Sequence, residues 1–130
     1  MGKPSREKGK RGERELASVL RSYGYDTCRG QQYCGNNGEA DVIGLPGLHI
    51  ECKRVEKLNL ADAMSQAIAD TRPGEKPCVM HRRNNAPWLV TIRLDEFMEI
   101  YREWEPIQTL QGLTFEECLR GMEQERESTI

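Results

Sequence analysis

A chain of 130 residues, 37% hydrophobic and 31% charged, has room for one buried core and has the balance of a globular protein, which excludes disordered and fibrous classes. No apolar run nears the roughly 20 residues that span a bilayer, and the basic start lacks a signal-like apolar stretch, so a cytoplasmic protein with no membrane partner is expected. The net charge of −2 hides a gradient, because residues 1–14 carry six bases against two acids and residues 95–130 carry three bases against ten acids. A basic start suits contact with phosphates, although a charge run is equally the mark of a solvated segment.

In chain order, residues 1–7 read as a flexible arm. Leu16, Ala17, Val19, Leu20 and Tyr23 then recur at helical spacing until Gly24 ends the run. Tyr25 to Arg29 suits a short strand, and Gly30 to Gly38, rich in Gly and Asn, suits a loop. Ala40–Leu45 and Leu48–Arg54 are β-rich runs split by Pro46-Gly47, a turn pair with Pro for one corner and Gly for a positive φ. Apolar spacing predicts a helix over Leu60–Thr71, stopped by Pro73-Gly74. Strands follow at Cys78–His81 and Trp88–Arg93, joined by the polar stretch Arg82–Pro87, and helices at Leu94–Trp104 and Phe115–Glu125. This order predicts an α/β fold, a mixed β-sheet flanked by helices.

Chemistry concentrates in the hairpin. Side chains alternate along a strand, so Glu51 and Lys53 share one face while Ile50 and Cys52 share the other, which should enter the core. A carboxylate beside an ammonium is either a structural ion pair or part of a site. Asp41 lies across the turn, and two carboxylates converging near a lysine offer oxygen ligands for Mg2+, with Mn2+ as substitute. With a two-residue turn, however, Asp41 faces Cys52 and falls on the wrong side of the sheet. A shared site therefore needs a bulge, a three-residue loop, or an Asp41 just outside the ladder. Glu13 lies on the stripe of Leu16, Ala17 and Leu20, with Glu15 facing nearly opposite. A carboxylate there is either an acid favoured by the helix dipole or a third ligand.

Five scattered cysteines make no disulfide framework. Cys28, Cys34, His49 and His81 form no Cys-x-x-Cys or His-x-x-x-His pair of the kind structural zinc sites show. Trp88 and Trp104 are expected as core or interface aromatics, and His81, Arg82 and Arg83 as a solvated loop or a phosphate contact.

Lys8-Gly9, Glu13-Arg14-Glu15-Leu16 on a first helix, Arg29, Asp41-Val42-Ile43 and Glu51-Cys52-Lys53 together resemble the archaeal-type Holliday-junction resolvases, members of the PD-(D/E)XK nucleases. The resemblance implies a restriction-endonuclease-like sheet in residues 8–105, with 106–130 as an acidic helical extension. It implies Glu13, Asp41, Glu51 and Lys53 as catalytic residues, and an Mg2+ ion on Asp41, Glu51, the carbonyl of Cys52 and Glu13. Lys8, Arg11, Arg14 and Arg29 would lie near DNA, and Gln66 resembles a glutamine of related phage and nuclease branches. A homodimer acting on branched DNA follows from the same resemblance. The alternatives are a phage or mobile-element PD-(D/E)XK nuclease acting on other DNA structures and a non-cleaving DNA-binding module of this fold.

Overall fold

The structure, a computed structural model, describes residues 3–30, 40–111, 117 and 120–122. Helix α1 (Lys3–Ser22) starts inside the segment expected as a flexible arm. Pro4 sits in its first turn, where a missing N–H forfeits no intrahelical bond. Strands β1 (Cys28–Arg29), β2 (Val42–Ile43) and β3 (Leu48–Arg54) follow, then helix α2 (Leu60–Asp70), strands β4 (Lys76–Arg82) and β5 (Leu89–Ile92), and helix α3 (Leu94–Gln111). Apart from Gly30, the expected Gly30–Gly38 loop lies outside the described residues, as does most of the expected Phe115–Glu125 helix.

The chain forms two compact units, Met1–Arg93 and Leu94–Ile130. The first unit contains the whole sheet. In the second, α3 runs past Trp104 and accommodates Pro106 at the cost of one helical N–H. Phe97, Tyr101 and Trp104 lie three or four residues apart and pack their rings at tilts of 33° and 49°, with centroids 6.2 and 5.4 Å apart.

The sheet is mixed and ordered β1-β2-β3-β4-β5. Strands β3 and β4 are parallel and joined across α2, while every other neighbouring pair is antiparallel. Helix α2 begins at Asn59, whose side chain accepts the Asp62 N–H at 3.1 Å and so satisfies one free donor of the first turn. Alternation along β3 and β4 divides the core between two faces. Ile50, Cys52, Cys78 and Met80 join Val42 and the α1 residues Leu16 and Ala17 on one face, with Trp88 packed against them. Val79 meets Ala63 and Ala67 of α2 on the other.

The hairpin register resolves the difficulty posed by its sequence. Leu48 N–H bonds the Leu45 carbonyl at 3.1 Å and Gly47 has φ 89°, which makes Leu45–Leu48 a type II turn with Pro46 and Gly47 at its corners. Val42 pairs with Ile50. Counting from that pair, Gly44 stands opposite Leu48, so the loop holds three residues rather than two, and at Asp41 the ladder breaks, because its N–H reaches the carbonyl of Ile50, the residue already paired with Val42.

Gly12 and Gly30 permit close approach. A Cβ on Gly12 would lie 2.6 Å from Arg54 Cβ, so α1 rests almost directly on the end of β3. A Cβ on Gly30 would lie 1.9 Å from the Ala40 carbonyl oxygen, and the Gly30 N–H donates to the Asp41 carbonyl at 2.8 Å. Gly30 therefore presses on the backbone that carries Asp41. Replacing it with Ala should destabilise the protein by about 1–3 kcal/mol through forced backbone displacement. Chemical denaturation checks this, and an unchanged midpoint would contradict so tight a contact.

Candidate active site

Asp41 lies just outside the β2 ladder, but it is not loose. Its N–H donates to the Ile50 carbonyl at 2.9 Å, and its Oδ2 accepts from the Cys52 N–H at 2.9 Å. The carboxylate thus takes the place of a ladder acceptor and is clamped beside β3 on both sides of Glu51. Asp41 and Glu51 are 8% and 3% exposed, which keeps both acids away from water that would otherwise screen them.

Burial pushes the Glu51 carboxyl up to about 8, and the charge of Asp41 and a side-chain hydrogen bond with it add to the rise. Lys53, on the same face of β3, opposes it, and Asp70 raises it further. A pair of buried acids in contact demands either a shared proton or a cation.

Glu13 approaches Asp41 from the α1 side. Burial raises its carboxyl, a hydrogen bond from Arg29 Nε lowers it, and Asp41 raises it again. The Glu13–Asp41 and Asp41–Glu51 interactions make Asp41 the link between two acids on opposite faces of the sheet. This linkage is possible because β2 begins only at Val42, leaving the β3 edge uncovered by a ladder at residues 51–53.

Glu15 stays outside this group. Nearly opposite Glu13 around the helix, it lies half-buried on the other flank of the α1 stripe. There it accepts from Arg82 at 2.6 Å and sits 3.4 Å from Arg54. The two arginines from β3 and β4 hold α1 to the sheet on that side.

The other expected site residues are distributed as follows. Arg29 is committed to Glu13 and is half-buried. Lys8, Arg11 and Arg14 are exposed on α1, and Lys8 and Arg11 line an open pocket with Glu15, Arg54 and Asn84. Gln66 is exposed on α2, one turn before Asp70. The side chain of Cys52 belongs to the α1-side core, where burial and Asp41 push its thiol above the ordinary value and keep it neutral. His81 bonds Thr91 at 2.9 Å, and burial lowers its basicity. Trp104 has Tyr101 beside it.

The structure adds Asp70, which sequence reading passed over, and His49, which it weighed only beside Cys28, Cys34 and His81. His49 is 1% exposed and shares the Glu51 face of β3, and Asp70 reaches the same place from α2. Alternation from Glu51 back to His49 and the helical stripe Ala63, Ala67, Asp70 were the signals that point to them.

A mixed sheet between helices, with acids gathered where the short inner strand β2 begins beside β3 and a lysine two residues beyond one of them, defines a nuclease-like α/β domain. Residues 4–120 match the family described as "Phage putative PDDEXK endonuclease", and the chain belongs to that family of endonucleases. Among solved structures it is similar to the Holliday junction resolvase Hjc of the archaeal hyperthermophile Archaeoglobus fulgidus. The identity is 27%, 65% of this chain and 72% of that chain are covered, and the TM-score is 0.51. The fold is therefore the restriction-endonuclease-like α/β fold of that protein. No curated protein matches the sequence. Among the described residues, no helix is long and apolar enough to cross a membrane.

The raised Glu51 carboxyl sets the pH response of the metal-free protein. An unfolded glutamate ionises near 4.5 and the folded one near 8. Between these values only the unfolded state gives up its proton, so stability falls as pH rises through this window and levels off above it. Asp41→Asn keeps an oxygen for the Cys52 N–H and removes the neighbouring charge. Its melting temperature in EDTA should fall less steeply than that of the wild type from about pH 5 to pH 8.5. Parallel melting curves would show that the two acids do not interact.

Proposed function

We propose that the protein is a metal-dependent DNA endonuclease that hydrolyses phosphodiesters of branched DNA, with Glu13, Asp41, Glu51 and Lys53 as its catalytic residues. The observation that carries this reading is the pair of buried acids, Asp41 and Glu51, with Asp41 held to β3 by the Cys52 N–H at 2.9 Å and Lys53 next to them, an arrangement that calls for a cation. The donor set fits a hard divalent ion such as Mg2+, with Mn2+ as substitute. Asp41, Glu51 and the Cys52 carbonyl would hold it, with Glu13 joining directly or through water. When bound, the ion supplies a coordinated water of lowered pKa and positive charge beside the phosphate.

The remaining work belongs to the chain. The Cys52 N–H fixes the orientation of Asp41, and Arg29 fixes that of Glu13. Lys53 would orient the attacking water and stabilise the charge growing on the phosphate, the effect that usually dominates this chemistry. Lys8, Arg11 and Arg14 on the exposed side of α1 would contact phosphates, with Arg29 and Gln66 bordering the bound strand.

Similarity to Hjc, a Holliday junction resolvase, supports a branched substrate. A four-way junction presents two symmetry-related strands, so the working form would be a symmetric homodimer in the cytoplasm.

Cleavage should require Mg2+ or Mn2+ and stop in EDTA. Lys53→Ala should bind DNA normally yet cut on the order of 100-fold more slowly or worse, and Asp41→Asn should lose cleavage at every metal concentration. Gel assays on labelled four-way junction, fork and linear duplex test both statements. Metal-independent cutting, or an active Lys53→Ala protein, would remove these residues from catalysis. In salt titrations the double variant Lys8→Gln, Arg11→Gln should bind the junction with a slope shallower by about 2, one phosphate contact for each base removed.

A further inference from the structure

Beyond Asp41, Glu51 has a second set of neighbours. His49 Nε2 lies 3.4 Å from Glu51 Oε1, without the geometry of a hydrogen bond, and has no hydrogen-bond partner among the described residues. One ligand atom each from His49, Glu51 and Asp70 can be chosen so that all three lie within 4.8 Å of one another. Oxygen and nitrogen ligands about 2.0–2.2 Å from one metal stand roughly 3–4.4 Å apart, so a small contraction closes the group around an ion.

The placement is dictated by the fold. His49 and Glu51 are two residues apart on one face of β3. Asp70 extends the buried stripe of Ala63 and Ala67 by one turn and carries a carboxylate where that stripe would otherwise be apolar. A buried imidazole with an unsatisfied nitrogen aimed at two carboxylates is costly unless something fills the gap. His49 also lines an open pocket with Ala40, Gly47, Arg72 and Glu75.

We propose that His49, Glu51 and Asp70 form a second cation site, taking a borderline transition ion such as Zn2+ and sharing Glu51 with the hydrolytic site. The ligand chemistry sets the preference. Mg2+ favours all-oxygen coordination, whereas one imidazole and two carboxylates suit Zn2+ and leave a position open for water. The sharing of Glu51 rests on the hydrolytic reading above, but binding to His49 and Asp70 is measured without DNA or cleavage.

The chain has only two histidines, which makes the test direct. In the full-length, metal-stripped protein, imidazole 15N resonances are followed during addition of Zn2+ and, separately, Mg2+, with His81→Gln used for assignment. Zn2+ should shift the His49 ring nitrogens as a directly bound metal does while those of His81 stay in place, and Mg2+, held through Glu51 without the ring, should shift His49 far less. Asp70→Asn should weaken zinc binding about ten-fold or more, while Asp41→Asn should still give the His49 shift. An unmoved His49 ring, an equal response to Mg2+, or unchanged affinity in a folded Asp70→Asn protein would overturn the site. If Asp70→Asn fails to fold, the wild-type ring shift decides alone. Normal Mg2+-dependent cleavage with no zinc shift would overturn this site only, whereas a zinc shift in a protein that never cuts DNA would overturn the nuclease reading and leave the site standing.

Discussion

The bond from the Cys52 N–H to the Asp41 carboxylate is the constraint on which the rest of the site depends. It replaces a backbone carbonyl with a charged side chain at the point where β2 gives out. A charge-assisted bond of this kind is stronger than the neutral ladder bond it replaces, and it fixes both the position and the orientation of the acid. Gly30 presses on the same stretch from the other side and bonds the Asp41 carbonyl. Asp41 is consequently immobile although it lies outside any regular element.

An immobile Asp41 makes Glu51 an unusual residue. Its carboxyl is buried, touches another acid and has a third acid, Asp70, within electrostatic reach. Left alone, such an arrangement opposes folding, because each added negative charge in a poorly solvated place raises the cost of the next. Proteins keep groups of this kind where the strain is released by a proton, a cation or a substrate. Lys53 relieves part of it, and Arg29 performs the corresponding service for Glu13. The same frustration that costs the metal-free protein stability is what would draw a positive ion to the site.

The scaffold around these acids is ordinary by comparison. Two thin apolar layers, one under α1 and one under α2, hold the sheet, and the ion pairs of Glu15 with Arg54 and Arg82 fasten α1 along one flank. Gly12 lets α1 come close enough for Glu13 to reach the sheet edge. The helix is thus a positioning element as much as a cover, and its polar residues divide into those that anchor it and those that face the site.

Much of this was legible in the residues. Helical spacing of Leu16, Ala17 and Leu20 placed Glu13 on the buried side, alternation put Glu51 and Lys53 together, and Pro46-Gly47 marked the turn, because these patterns are local and follow from backbone periods alone. What the chain could not announce was everything set by pairing across distance. The hairpin register turned on whether two or three residues sit between the strands, and the place of Asp41 turned on where the ladder breaks, which shows only in its bonds to Ile50 and Cys52. Glu15 found two arginines on other elements, and His49 met Asp70 across a β-α crossover. The helical start of the basic arm and the continuation of α3 through Pro106 likewise lay beyond residue preference. Periodicity determines which face a side chain takes on its own element. Only the folded chain decides which faces meet, because that choice is made by packing and desolvation summed over residues far apart in sequence.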